Sequence, residues 1–271
     1  MAHLRQIPPL PFVATIPKFV APFWTSQGRW DKILTVLLAL VIFGVIGTLG
    51  YMIATPKGEP FTEFYILGLY DKAGWYPEEF ILNNGEVAKV TYFGPNGDSK
   101  EIKGDSGKVT LGVVNHEQET TTYTVKLTID DKPSQIWLEE DGEWHDELIF
   151  SLNNDKEWEQ KIGFTPKYIC VSTTLADTAH EKDTGIRVVS AEGFAVGNIL
   201  QLGDVGIEGK EYIQIKAIEG DTITLEKELR HDHAAATRLV KPQKVEFLLY
   251  KGASTEPYQR LHLWIDVKEA V

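Results

Sequence analysis

Cysteine is all but missing from this chain: Cys170 is the single one in 271 residues. No disulfide can form within the molecule, so folding must rest on a hydrophobic core, and the lone thiol reads as a small buried apolar residue rather than a nucleophile. Basic residues are also scarce. The 27 Lys and Arg stand against 39 Asp and Glu, for a formal charge of −12. A phosphate backbone needs a basic face, so nucleic acid is excluded as a partner. There is no Gly-rich phosphate cradle before a helix, no serine elbow and no paired-cysteine metal motif. No catalytic residue, cofactor site or metal site is assigned, and the chain reads as non-enzymatic.

What is present starts with an apolar run. Residues 33–53 form a stretch of 21 without a charge. As a helix it would be about 31 Å long, the thickness of a hydrocarbon core. Signal-peptide apolar regions are shorter and start nearer the N-terminus, so the run is expected to be a retained single-span anchor. Arg29 and Lys32 flank its N-terminal end, while Lys57 beyond it is answered by Glu59 and Glu63. The positive-inside rule then puts the N-terminus in the cytoplasm and the body outside the cell membrane. Residues 1–32 carry four basic side chains against Asp31 alone, leaving the remainder at −15. Phe23, Trp24 and Trp30 are expected at the inner interface and Tyr51 at the outer one. Gly44, Gly47, Thr48 and Tyr51 fall near one helix face. Either a second helix packs there, or the glycines reflect the ordinary composition of membrane spans.

The first 32 residues hold Pro8, Pro9, Pro11, Pro17 and Pro22, too many for a long helix. This segment is either a disordered tail or an extended piece lying on the inner membrane surface or on a partner, since Phe12, Phe19, Phe23 and Trp24 make it apolar.

Beyond Pro60, period-two alternation dominates. "TTYTVKLTID" aligns Tyr123, Val125, Leu127 and Ile129; "KVTLGVVN" aligns Val109, Leu111 and Val113; "KVEFLLYK" aligns Val245, Phe247 and Leu249; "LHLWIDV" aligns Leu261, Leu263, Ile265 and Val267. Turn-rich stretches separate them. The pattern predicts a mainly β fold, an immunoglobulin-like sandwich over residues 61–166 and 243–268.

The segments "FYILGLYDKAGWYPEEFILNNGE", "VTLGVVNHEQETTTYTVKLTID" and "KVEFLLYKGASTEPYQRLHLWIDV" resemble the family catalogued as domain of unknown function 1616. The resemblance covers about half the chain and is most specific at "GVVNHE" and "LHLWIDV". It implies a membrane protein with an immunoglobulin-like extracytoplasmic domain and supplies no catalytic residues. Many members of the family have several spans where this chain has one, and this chain carries an insertion.

That insertion is also visible in the residues. "KIGFTPK" ends one strand and "KPQKVEFLLYK" begins the next, yet Tyr168 to Val240 intervene with strand-like runs of their own. Residues 167–242 are therefore expected to be an inserted, small, barrel-like all-β module, either a contact surface or a neutral elaboration. Short stretches of it resemble small β modules of surface and phage-structural proteins.

Several residues invite a chemical reading and a bland one. His231 and His233 in "RHDH" would share a face of a strand, but a third metal ligand is not evident. His116 and Glu117 of "NHE" are expected in a turn after a strand, and "LEEDGEWHDE" has carboxylates without the ordered spacing of a calcium loop. His262 and Trp264, on the outer side of the last strand, are candidate surface contacts, with Trp264 either open to a ligand or packed under the module. The expected function is a membrane-anchored accessory or structural subunit of an envelope assembly, with the bilayer and other membrane proteins as partners. The alternative is an envelope glycan-binding module using Trp264 or the Trp137/Trp144 region.

Overall fold

The computed structural model describes residues 37–38, 40–46, 48, 59–104, 106–206 and 209–270. The first of these, within 37–48, are helical. Among the described residues no helix is long and apolar enough to cross a membrane. The expected span 33–53 extends beyond this helical stretch, and its remaining residues, with Gly47 and Tyr51, lie outside the described ones, as do Phe23, Trp24 and Trp30. Gly44 and Thr48 are described, and the Thr48 hydroxyl donates to the Val45 carbonyl at 2.9 Å.

From Pro60 onward the chain is one compact unit made of strands. The first eleven are β1 (Phe61–Leu67), β2 (Tyr76–Asn83), β3 (Glu86–Phe93), β4 (Ser99–Lys103), β5 (Gly107–His116), β6 (Thr121–Ile129), β7 (Lys132–Ser134), β8 (Ile136–Leu138), β9 (Glu143–His145), β10 (Leu148–Leu152) and β11 (Lys156–Phe164). Then come six mostly short ones: β12 (Ser172–Thr174), β13 (Gly185–Arg187), β14 (Ile199–Leu202), β15 (Glu211–Glu219), β16 (Thr222–Leu225) and β17 (Arg238–Val240). The long pair β18 (Gln243–Lys251) and β19 (Gln259–Glu269) closes the chain.

Two sheets share the larger core. One has the order β1-β5-β11-β8-β9; the other runs β10-β6-β18-β19-β2-β3-β4, with β7 also paired to β6. The alternating apolar residues meet between them. Leu111 and Val113 from one side and Tyr123, Val125, Leu127, Phe247 and Leu249 from the other are almost wholly buried. The Phe164 ring lies 5.8 Å from that of Phe80 and edge-on to Phe247 at 6.1 Å, bridging the two layers. Burying one such side chain contributes about 1.5–3 kcal/mol, and this core replaces the disulfides the sequence lacks.

Among the described residues pairing is antiparallel except where β19 meets β2, with Asp266 opposite Glu79 and Val267 opposite Phe80. The β2–β3–β4 meander is thereby added to the second sheet. Pro77, which has no N–H to offer a ladder, sits beside a register shift between β2 and β3.

Strands β12–β17 build a separate six-stranded sheet, ordered β12-β17-β14-β15-β16-β13. Its core is distinct and aliphatic, with Leu200, Leu202, Ile215, Ile223, Leu225 and Leu239 at its centre. Glu219 pairs with Thr222 across a two-residue Gly220–Asp221 turn, with Gly220 in the left-handed region that such hairpins need. The connection out and the connection back are neighbours, because Ser172 of β12 pairs with Val240 of β17.

Candidate functional site

The outer face of the β1-β5-β11-β8-β9 sheet carries a groove. Its floor comes from the residues of β5 and β11 that alternate away from the core, with Thr110 opposite Lys161 and Gly112 opposite Glu159. One wall is the loop after β1. Tyr70, Asp71 and Trp75 all take left-handed backbone angles there, at φ 68°, 55° and 56°. Such angles are costly for non-glycine residues and persist only where the surroundings enforce them. Here the enforcement is visible. The Leu69 N–H donates to the Trp75 carbonyl at 2.9 Å, Tyr70 sits edge-on to Trp75 at 5.9 Å, and Lys100 donates to the Tyr70 hydroxyl at 2.6 Å. The result is a fixed Asp71, which accepts from the Thr110 hydroxyl at 2.7 Å and lies 3.7 Å from the Lys161 ammonium.

The opposite wall is the β8–β9 hairpin and its turn. Glu139 is tied to β11 by its N–H, which donates to the Lys161 carbonyl at 3.0 Å. Two adjoining hollows of about 400 and 440 Å³ share Asp71, Thr110, Glu139 and Lys161, so they form one continuous trough. Trp137 lies against Gly163, where a Cβ would sit 3.2 Å from the indole, and the Lys108 ammonium is 4.3 Å from its ring centre. Trp144, directly across the hairpin, is 42% exposed. Farther along the same face, the Tyr65 ring crosses Gly112 so closely that a Cβ there would be 1.9 Å from it. The Tyr65 hydroxyl has one proton and two carboxylate neighbours, Glu157 and, at 2.9 Å, Glu159. Burial and then these two carboxylates push the phenol far above its ordinary value.

The "NHE" motif serves structure. Asn115 and Glu117 point inward and His116 outward. The Asn115 amide donates to the carbonyls of Glu119 and Leu152, both at 2.8 Å. Glu117 accepts from the Thr62 hydroxyl at 2.7 Å and pairs with Lys251 at 2.5 Å. Burial raises the Glu117 carboxyl, but Lys251 and Thr62 more than reverse this, so it ends below its usual value. His116 stacks on Phe61 at 4.7 Å and bonds Asp155 at 2.9 Å and Glu63 at 3.2 Å. The Asp155 hydrogen bond first, and Glu63 after it, raise the imidazole above its usual value. The motif thus pins the start of β1 to the sandwich.

"RHDH" lies in a loop rather than a strand, and its two histidines part company: His231 is exposed and His233 buried. His233 meets the buried Glu211 at 3.0 Å, and Glu211 also accepts from the N–H groups of Arg230 and His231. Among the described residues no cluster of three or more His, Cys, Asp or Glu side chains has the geometry to hold a metal ion.

Trp264 is half-buried and stacked on Tyr212 of the six-stranded sheet at 6.2 Å; His262 is exposed and edge-on to Trp264. Around them lies the junction between the two cores. Arg238 makes a two-pronged contact with Asp266, whose side chain is 0% exposed. Lys210 pairs with Glu78 at 2.6 Å and Lys268 with Glu79 at 2.5 Å. Cys170 is buried there too. Its sulfur accepts from the Val267 N–H at 3.3 Å, and burial pushes the thiol up to about 11, which makes it a poor nucleophile.

Sequence reasoning had Trp137 and Trp144 as a possible platform but missed Asp71, Thr110 and Lys161. The one available signal was the Gly-rich loop "LGLYDKAGW", whose left-handed residues include no cue beyond the glycines themselves. No curated protein matches the chain. Residues 96–170, from the turn before β4 through β11 to Cys170, match the family model described as Domain of unknown function (DUF1616), and the match stops just short of β12.

Proposed function

We propose that this is a membrane-tethered, extracytoplasmic, non-enzymatic protein, an accessory or structural subunit of an envelope assembly. In this reading the two-sheet body is an immunoglobulin-like domain of the family whose model matches residues 96–170. The observation that carries the reading is the helical stretch within 37–48. Leu37, Leu38, Leu40, Val41, Ile42, Phe43, Val45 and Ile46 are each between 50% and 74% exposed, on every side of the helix. A helix that is apolar all round needs lipid or other helices to cover it. Gly44, with nothing within 4 Å of where its Cβ would be, supports a close approach by another helix. The Lys210–Glu78 and Arg238–Asp266 pairs at the junction support a structural role, since they tie the inserted sheet to the sandwich.

The test is purification from native membranes in mild detergent, after an alkaline carbonate wash, followed by mass spectrometry of bound proteins. The protein should stay in the washed membranes and bring a reproducible, near-stoichiometric set of membrane partners. Release by carbonate would remove the tether, and a lone protein would remove the subunit role.

A further inference from the structure

We infer that the trough between the loop after β1 and the β8–β9 hairpin binds a neutral, hydroxyl-rich glycan chain. This does not depend on the subunit reading. The trough is continuous, because its two hollows of about 400 and 440 Å³ share four lining residues, and each is of a size that suits a small ligand. The groups lining it are of both kinds. Asp71, Glu139 and Glu159 accept hydrogen bonds, and Lys108 and Lys161 donate them. Adjacent sugar hydroxyls, each both donor and acceptor, satisfy such a row, with a carboxylate taking two O–H groups and an ammonium giving to a third.

At the hairpin end, Trp144 is 42% exposed and can meet the flat C–H face of a sugar, while Trp137 opposite it in the β8–β9 pair is held by Gly163 and Lys108. A peptide strand is poorly served. β5 lies between β1 and β11, and β11 between β5 and β8, so the floor has no free edge to extend. The charge selects among glycans. Asp71, Glu139, Glu140 and Glu159 outnumber Lys108 and Lys161, so uronate or sulfated chains are repelled. The strained, over-braced backbone of residues 70–75 also fits this role, since it fixes Asp71 before any ligand arrives.

The test uses the full chain in a detergent without a sugar headgroup, titrated calorimetrically with cello-, manno- and xylohexaose and with oligogalacturonate as the acidic counterpart. At least one neutral hexasaccharide should bind saturably with Kd of about 1 mM or tighter. Trp144→Ala should weaken it at least about tenfold. So should Asp71→Asn, in which asparagine accepts the left-handed backbone readily and only the charge is lost. His262→Ala, on the other sheet, should bind as the native chain does. Near-UV circular dichroism confirms that each variant is folded. Absence of saturable binding to any neutral probe at about 10 mM, tighter binding of oligogalacturonate, or binding indifferent to both trough variants would each overturn the proposal.

Discussion

Of the carboxylates buried in the described residues, Glu117 and Glu211 are neutralised in opposite ways by the sandwich and the inserted sheet. Glu117, in the sandwich, relies on side chains from far away in sequence: Thr62 from β1 and Lys251 from the end of β18. Glu211, in the inserted sheet, relies on the backbone of one nearby loop, through the N–H groups of Arg230 and His231, with His233 alongside. The first arrangement ties distant strands into one cooperative body. The second shapes a loop and asks little of the rest. Glu117 lies in, and Glu211 is the partner of, a motif that looks chemical in sequence, and in both the polar groups are consumed by holding the chain in place. An unpaired buried carboxylate costs several kcal/mol, so the partners are as necessary as the core around them.

The contrast is tested most severely at Arg238, which joins the two regions. Arg238→Ala leaves Asp266 with Lys268 alone, 3.5 Å away, and should cost about 3 kcal/mol. It should also split a single urea transition into two, the inserted sheet melting first; a lone sharp transition at lower urea would mean that the two cores remain coupled by packing. Next in size, Glu117→Ala should destabilise the whole body by about 2–3 kcal/mol, since it takes the carboxylate from both Thr62 and Lys251. Glu211→Ala should cost about 1–2 kcal/mol, confined to its loop, and hydrogen exchange should report it first at the Arg230 and His231 amides. If exchange instead accelerates across β6 and β18, the supposed locality of the Glu211 arrangement is wrong.

The smallest effect is set by pH. Asp155 and Glu63 raise the His116 imidazole above its ordinary 6.5. The folded state therefore holds that proton more tightly than the unfolded one. The resulting stability is complete below pH 6.5 and is lost as pH climbs through the raised value. The protection factors at the start of β1, where Phe61 and Glu63 flank the ring, should fall over that interval in the native protein and stay level in His116→Gln.

Much of the larger core was readable from alternation alone, because each long strand buries one face: Val109, Leu111 and Val113 on β5, or Val245, Phe247 and Leu249 on β18, point inward as their spacing predicts. The groove was not readable. Its wall depends on left-handed angles at Tyr70, Asp71 and Trp75, which obey no periodicity, and on a hairpin whose strands have three residues each. "LEEDGEWHDE" reads as a solvated acidic stretch until β8 and β9 pair and set Trp137 opposite Trp144. The parallel contact of β19 with β2 was equally hidden, since it joins residues nearly two hundred positions apart. Likewise "RHDH" gives no hint that its second histidine turns inward to a carboxylate 22 positions earlier.

The pairing of Ser172 with Val240 gives the inserted sheet a narrow neck. In evolutionary terms the segment is a cassette: one that is lost, lengthened or exchanged between those two residues leaves the register of β11 and β18 alone, and a longer loop adds only slowly to the closure entropy. The exchange is not wholly free. Asp266 belongs to the sandwich, is fully buried, and draws its guanidinium from the cassette. Whatever occupies the neck in a descendant of this chain inherits an obligation to bring a cation to that one carboxylate, and the host dictates at least one residue of its guest.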